Sequence, residues 1–288
     1  MILNLLSLGA GRGISLIQTL NNAGGTVKAV ARPWLGVFWL SRMPYRFLQV
    51  YFLLELAKLG PQAKHYGDYL FSLSLALMLA LVVSTYGRAV FVRACFLSQS
   101  QDRTPGAEAW RVRPADLLTY LYCDLLLEVI ALALWWTFIF FPFCFALSGI
   151  AGAISYNVER PSLIKPLVDI AVLGVRLKNW LGMLCFFGFA TLITWINLYF
   201  AFQAGEWLAG GIFGIDLSRW QYLLRPMEYV PILPAEWRPA LLMLAGAALA
   251  VEPFWLAANV VFVQMSRAQK SGEDLRYWFD SIRGKALS

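Results

Sequence analysis

The chain has 288 residues, 59% of them hydrophobic and only 14% charged, with a formal net charge of +7. A soluble domain is about half apolar and about a quarter charged, so this composition excludes an ordinary water-soluble enzyme or regulator. The basic residues flank apolar runs, which assigns them to cytoplasmic loops and anionic lipid and not to nucleic acid.

The apolar residues cluster in runs long enough to cross a bilayer. The expected fold class is therefore all-α: a polytopic transmembrane helical bundle of about six spans with interfacial amphipathic helices. A transmembrane barrel would alternate apolar and polar residues, and the run from Leu75 to Val83 does not. The cysteines Cys95, Cys123, Cys144 and Cys185 form no CxxC pair, and His65 is the only histidine. No metal site and no cofactor are expected from ligands so scattered.

Residues 1–31 are expected to be a weakly structured N-terminal cytoplasmic segment, with Asn21-Asn22-Ala23-Gly24-Gly25 as a turn or linker. Met1 to Leu8 is apolar, but no basic residue precedes it, so it does not have the form of a removable signal peptide. Gly9, Gly11 and Gly13 lack the preceding strand and the Lys-Ser/Thr of a phosphate loop.

Residues 32–265 form the expected transmembrane domain. Arg32-Pro33-Trp34 opens a helix, since proline suits the first helical position. Up to Met43 the mixture of bulky apolar residues with Arg42 predicts an interfacial helix, which Pro44 breaks. Tyr45 to Gly60 then reads as a short first span, with Arg46, Glu55 and Lys58 reaching the headgroups. Asp68 to about Phe91 is a second span, followed by a polar loop over 94–114 that carries Arg103, Arg111 and Arg113.

The apolar region 115–156 is longer than one crossing needs, because a helix of about twenty residues already covers a hydrocarbon core of about 30 Å. It is either one long tilted helix with a surface segment or a tight hairpin. Residues 159–179 are amphipathic and basic, and read as a cytoplasmic surface segment. Trp180 to Ala204 is a clear span. The loop 205–238 has Gly210 and Gly214 as points where backbone could approach closely, and Pro239 to Gln264 is the final span.

Charge sets the parity. In the loop 205–238 the acids Glu206, Asp216, Glu228 and Glu236 outnumber Arg219, Arg225 and Arg238. In the tail 266–288 the bases Arg267, Lys270, Arg276, Arg283 and Lys285 outnumber Glu273, Asp274 and Asp280. The positive-inside rule places the tail and 159–179 in the cytoplasm and 205–238 outside. With 94–114 also inside, 115–156 crosses an even number of times, which favours the hairpin and puts both termini in the cytoplasm. A four-span rival, with 32–60 interfacial, strands Arg88, Arg93, Arg103, Arg111 and Arg113 outside.

Five polar residues form the candidate intramembrane site. Asp124 and Glu128 share a helix face at a spacing of four. They suggest a proton relay, a cation site or a contact to a partner helix; alternatively they pair with Arg88 or Arg93 and fix packing. Glu252 lies near the middle of the last span, where Pro253 leaves the Leu249 carbonyl without its helical donor. It either makes a polar pocket with Asn259 or Asn197 or locks two helices together. No nucleophile stands beside a base, so no catalytic residue is assigned. The tail opens with Ser271-Gly272-Glu273-Asp274, which has the form of a capping box, and then sets Leu275, Trp278, Phe279 and Ile282 at helical spacing. Such an amphipathic helix docks on lipid or on another protein.

The run Glu252-Pro253-Phe254-Trp255-Leu256-Ala257-Ala258, followed by Gly272-Glu273-Asp274-Leu275-Arg276-Tyr277-Trp278-Phe279, resembles a family of uncharacterised bacterial multipass inner-membrane proteins. Members end with an EPF-aromatic segment and a Gly-x-Asp-Leu helix. Arg32-Pro33-Trp34 and Arg88-Ala89-Val90-Phe91 match further stretches, whereas 115–156 departs from the pattern. The chain is more loosely similar to the membrane domains attached to some glycerophosphodiester phosphodiesterases. The resemblance implies a bacterial inner (plasma) membrane location and no known reaction. The expected function is a scaffold or assembly component of an envelope system, with membrane lipid and membrane or cytoplasmic proteins as partners. The alternative is an ion-coupled transporter or carrier using the intramembrane carboxylates.

Overall fold

The computed structural model describes residues 16–57, 67–101, 105–133, 177–214 and 237–271. Among them every regular element is a helix: α1 Leu16–Val30, α2 Gly36–Ala57, α3 Gly67–Gln101, α4 Pro114–Ala133, α5 Leu177–Phe213 and α6 Trp237–Ser271. Three of these carry stretches long and apolar enough to cross a membrane, at Gly67–Gln99, Cys185–Ile212 and Leu242–Met265. They coincide with the second, penultimate and last spans expected from hydropathy. The expected crossings at 115–156 run into residues outside the described set, and the expected first span Tyr45–Gly60 falls on α2, which is not among the three, with 58–60 outside the described residues.

The helix α1 corrects the expectation of a weakly structured start. Asn21 to Gly25, read as a linker, lies inside it. Its buried residues Thr19, Ala23, Thr26, Val27 and Val30 recur at helical spacing along one stripe. The Thr26 hydroxyl donates to the Asn22 carbonyl at 2.8 Å and accepts from Gln99 Nε2 at 2.9 Å. Tertiary packing of one stripe thus overrides the low helix propensity of two adjacent glycines.

Two proline positions are also corrected. The break falls before Pro33, where Arg32 is extended (φ −114°, ψ 123°), because a following proline pushes a residue out of the helical region. Pro44 does not break its helix; α2 runs through it. Pro253 is likewise inside α6. In an apolar helix the freed carbonyl is tolerated where neighbouring groups re-satisfy it. At the end of α5, Gly214 takes a left-handed conformation (φ 61°), which lets the chain leave the helix without a Cβ clash. Gly210 lies within the helix with no neighbour close to its missing Cβ.

The chain divides into two compact units. The first is made of Met1–Leu35, Ala89–Cys185 and Phe254–Ser288. Its buried side chains include Val30, Trp34, Phe91, Leu256 and Val260. Trp34 Nε1 donates to the Pro105 carbonyl at 3.1 Å, and its ring meets Trp110 at a centroid distance of 5.5 Å. That contact fixes the short 3₁₀ turn Ala107–Trp110 that precedes α4.

The second unit is made of Gly36–Arg88 and Phe186–Pro253. Its α3 stretch is apolar, with Phe71, Leu75, Leu79 and Val83 exposed and Leu81 buried, and Ser84, Thr85 and Arg88 are buried. Large apolar side chains displayed in this density would be a liability in water and are natural against lipid tails. Helices α2 and α3 approach closely at Gly87, where an added Cβ would lie 1.7 Å from Ser41 Oγ. Small residues at such a crossing let helix backbones come together.

Candidate functional site

The second unit holds a buried charge cluster. On α2, Arg42 and Arg46 are one turn apart; on α3, Ser84 and Arg88 are one turn apart; Glu252 faces them from α6. Helical spacing of four aligns each pair on one face. Arg42 reaches both carboxylate oxygens, with Nε donating to Oε2 at 3.1 Å and Nη2 at 3.1 Å from Oε1. Arg88 Nε lies 3.2 Å from Oε1, and Arg46 Nη2 lies 3.6 Å from Oε2. Arg42 Nη1 also donates to Ser84 Oγ at 2.8 Å, and its guanidinium sits over the Tyr45 ring at 5.1 Å. Arg46 Nη1 donates to Gln49 Oε1 at 2.9 Å.

The side chains of Arg42 and Glu252 are 2% and 1% exposed. Charges this deep persist only when paired, and removing one partner of a buried pair typically costs about 3–5 kcal/mol. The contacts at Oε1 have ion-pair distance but not the alignment of a hydrogen bond. The well-directed bond is therefore the one from Arg42 to Oε2. Chemically, the arrangement ties three helices through one carboxylate.

The expected site residues separate. Glu252 and Arg88 are brought together, a pairing different from the one of Arg88 or Arg93 with Asp124 or Glu128 that the sequence leaves open as an alternative. Asn259 is fully buried and donates to the Trp255 carbonyl of its own helix at 2.8 Å. Its Oδ1 has no hydrogen-bond partner among the described residues. Asn197 is exposed on α5, and no contact to the Glu252 carboxylate comes from it. Arg93 donates to the backbone carbonyl of Arg111. Asp124 and Glu128 fall on α4, and their side chains lie outside the described set, as do Leu275, Trp278, Phe279 and Ile282. Among the described residues no group of three or more His, Cys, Asp or Glu side chains could hold a metal ion.

The residues that sequence reasoning missed are Arg42, Arg46 and Ser84. The mixture of bulky apolar residues around Arg42 predicts an interfacial position, yet Arg42 is one of the largest fully buried side chains. Glu55, expected to reach the headgroups, is also buried. A usable signal existed in the spacing: Arg42 and Arg46, like Ser84 and Arg88, stand four apart inside apolar helices, as residues do when they present one polar stripe to a shared partner.

No protein-family model, no curated protein and no solved structure matches this chain.

Proposed function

We propose that the chain is a multipass protein of a bacterial inner membrane that acts as a scaffold, gathering partners of an envelope system. The observation that carries this is the contrast between two apolar helices. Within Leu242–Met265 of α6 most residues of the second half are buried, from Trp255 to Val263 without a break, whereas within Cys185–Ile212 of α5 Phe187 is the one buried residue among those described. Along α5 the outward side chains include Phe186, Phe189, Phe200, Phe202 and Trp207. Such a helix offers a long apolar and aromatic surface to lipid and to the helices of other proteins. The three-helix fastening at Glu252 supports the same conclusion, because the carboxylate oxygens are taken up by arginines of its own chain. An ion-coupled carrier would need that carboxylate to exchange its partners during transport.

The decisive experiment is mild-detergent purification with crosslinking, comparing the full chain with one ending at Lys270. The scaffold role predicts that specific proteins co-purify with the full chain and are lost on deleting residues 271–288, while the helical domain remains folded. Unchanged co-purification counts against docking through the tail, and a full chain that purifies alone counts against the scaffold.

The proposed topology has about six spans and cytoplasmic termini, on the charge asymmetry of the loops. Reporter fusions after residues 108, 160, 220 and 288 should read inside, inside, outside and inside. An outside signal at 288 overturns the arrangement.

A further inference from the structure

We infer that the first unit carries a binding site for the phosphate of an anionic lipid headgroup. An open cleft of about 480 Å³ is lined by Arg93, Phe96, Leu97, Arg111, Arg113 and Asp116. Three guanidiniums thus face one carboxylate. The last turns of α3 supply Arg93, Phe96 and Leu97; the link to α4 supplies Arg111 and Arg113; Asp116 stands in the first turn of α4.

The cleft is built from fixed parts. Arg113 Nε donates to Asp116 Oδ2 at 2.8 Å, with a weaker contact from Nη2 to Oδ1 at 3.4 Å. The backbone amides of Asp116 and Leu117 both donate to the Arg113 carbonyl, at 3.0 and 3.1 Å. Asp116 is buried, and the guanidinium of Arg93 holds the Arg111 carbonyl. The segment leading into α4 is therefore tied at Arg111 and Arg113, and Arg111 is exposed.

Location and lining chemistry select the ligand. The apolar stretch Gly67–Gln99 of α3 ends at this cleft, which is where a crossing helix meets the headgroup layer. Trp110, half-exposed beside it, has the amphipathic ring that favours that layer. Guanidiniums match phosphate oxygens with paired donors. Phe96 and Leu97 add an apolar wall of the kind that a lipid has use for and a free phosphate does not. Basic pockets between crossing helices are suited to anionic headgroups in this way. The inference depends on membrane placement and not on the scaffold role, so a failed co-purification leaves it standing.

The test uses the purified full chain in a neutral detergent. Phosphatidylglycerol, phosphatidylcholine and inorganic phosphate are titrated separately, with binding followed by native mass spectrometry and by the thermal midpoint. Phosphatidylglycerol is expected to bind best and to raise the midpoint. Arg111→Gln should weaken it about fivefold, the loss of one basic contact near the membrane surface. Arg111→Lys should recover most of that loss. Lys28→Gln, which removes an equal charge from an exposed position on α1, should leave binding unchanged. Equal weakening by Arg111→Gln and Lys28→Gln would reduce the effect to general charge and overturn the site. So would binding unaffected by Arg111→Gln. Saturable binding of inorganic phosphate without lipid binding would overturn the lipid assignment in favour of a soluble anion.

Discussion

Replacing Glu252 with alanine is expected to destabilise the protein by about 3–5 kcal/mol, the usual cost of breaking a buried ion pair by removing one side. The effect is large because Arg42 and Arg88 are almost wholly buried around the carboxylate. Without it, like charges from α2 and α3 face one another in a low-dielectric interior. Glu252→Gln keeps the volume and one acceptor oxygen, so Arg42 Nε retains a partner and the loss should be smaller than for alanine. The measurement is the thermal midpoint and monodispersity of each variant in detergent. A Glu252→Ala protein that melts with the wild type would show that the cluster does not fasten the helices. Equal losses for alanine and glutamine would assign the whole effect to charge and none to the directed hydrogen bond.

Gly87→Ala should have the opposite sign from an ordinary glycine-to-alanine change in a helix. At an open helical position alanine stabilises by about 0.8–1 kcal/mol. Gly188, with nothing near its missing Cβ, is such a position. At Gly87 the new methyl would lie 1.7 Å from Ser41 Oγ and 2.5 Å from Ser41 Cβ. Ser41 Oγ is itself bonded to the Phe38 carbonyl at 2.9 Å, so it cannot swing away freely. Overpacking of this kind costs about 1–3 kcal/mol. Gly87→Ala is thus expected to lower the melting midpoint and Gly188→Ala to raise it. Adding Ser41→Gly to Gly87→Ala should restore part of the loss, since it removes both clashing atoms. If the two single alanine variants shift the midpoint in the same direction, α2 and α3 do not approach closely at Gly87.

Much of the helical framework is legible from hydropathy. The apolar runs at 68–91, 180–204 and 239–264 each mark a helix, because an apolar run that long has to satisfy its own backbone hydrogen bonds when it leaves water. Helix ends are less legible. The helix α3 continues to Gln101 and α5 to Phe213, well past the apolar runs that announced them, because backbone hydrogen bonding continues into polar sequence without a breaker. The helix α1 was hidden for the reverse reason: its asparagines and glycines favour a turn locally, and only a buried stripe makes the helix pay.

Sequence alone singled out Glu252 as a carboxylate inside an apolar run, and it offered Arg88 as one possible partner of Asp124 or Glu128. Both follow from the cost of carrying a charge into an apolar run, which is a local property. It could not join them, and it left Arg42 at the membrane surface. Arg42 and Glu252 are 210 residues apart in the chain, and periodicity specifies which face of a helix a residue occupies but not which helix that face meets. Tertiary structure made that choice: the approach of α2, α3 and α6 in the second unit puts two arginine-bearing faces against one carboxylate. It also turned Glu252-Pro253 from an isolated charge at a proline into the point where three helices are tied.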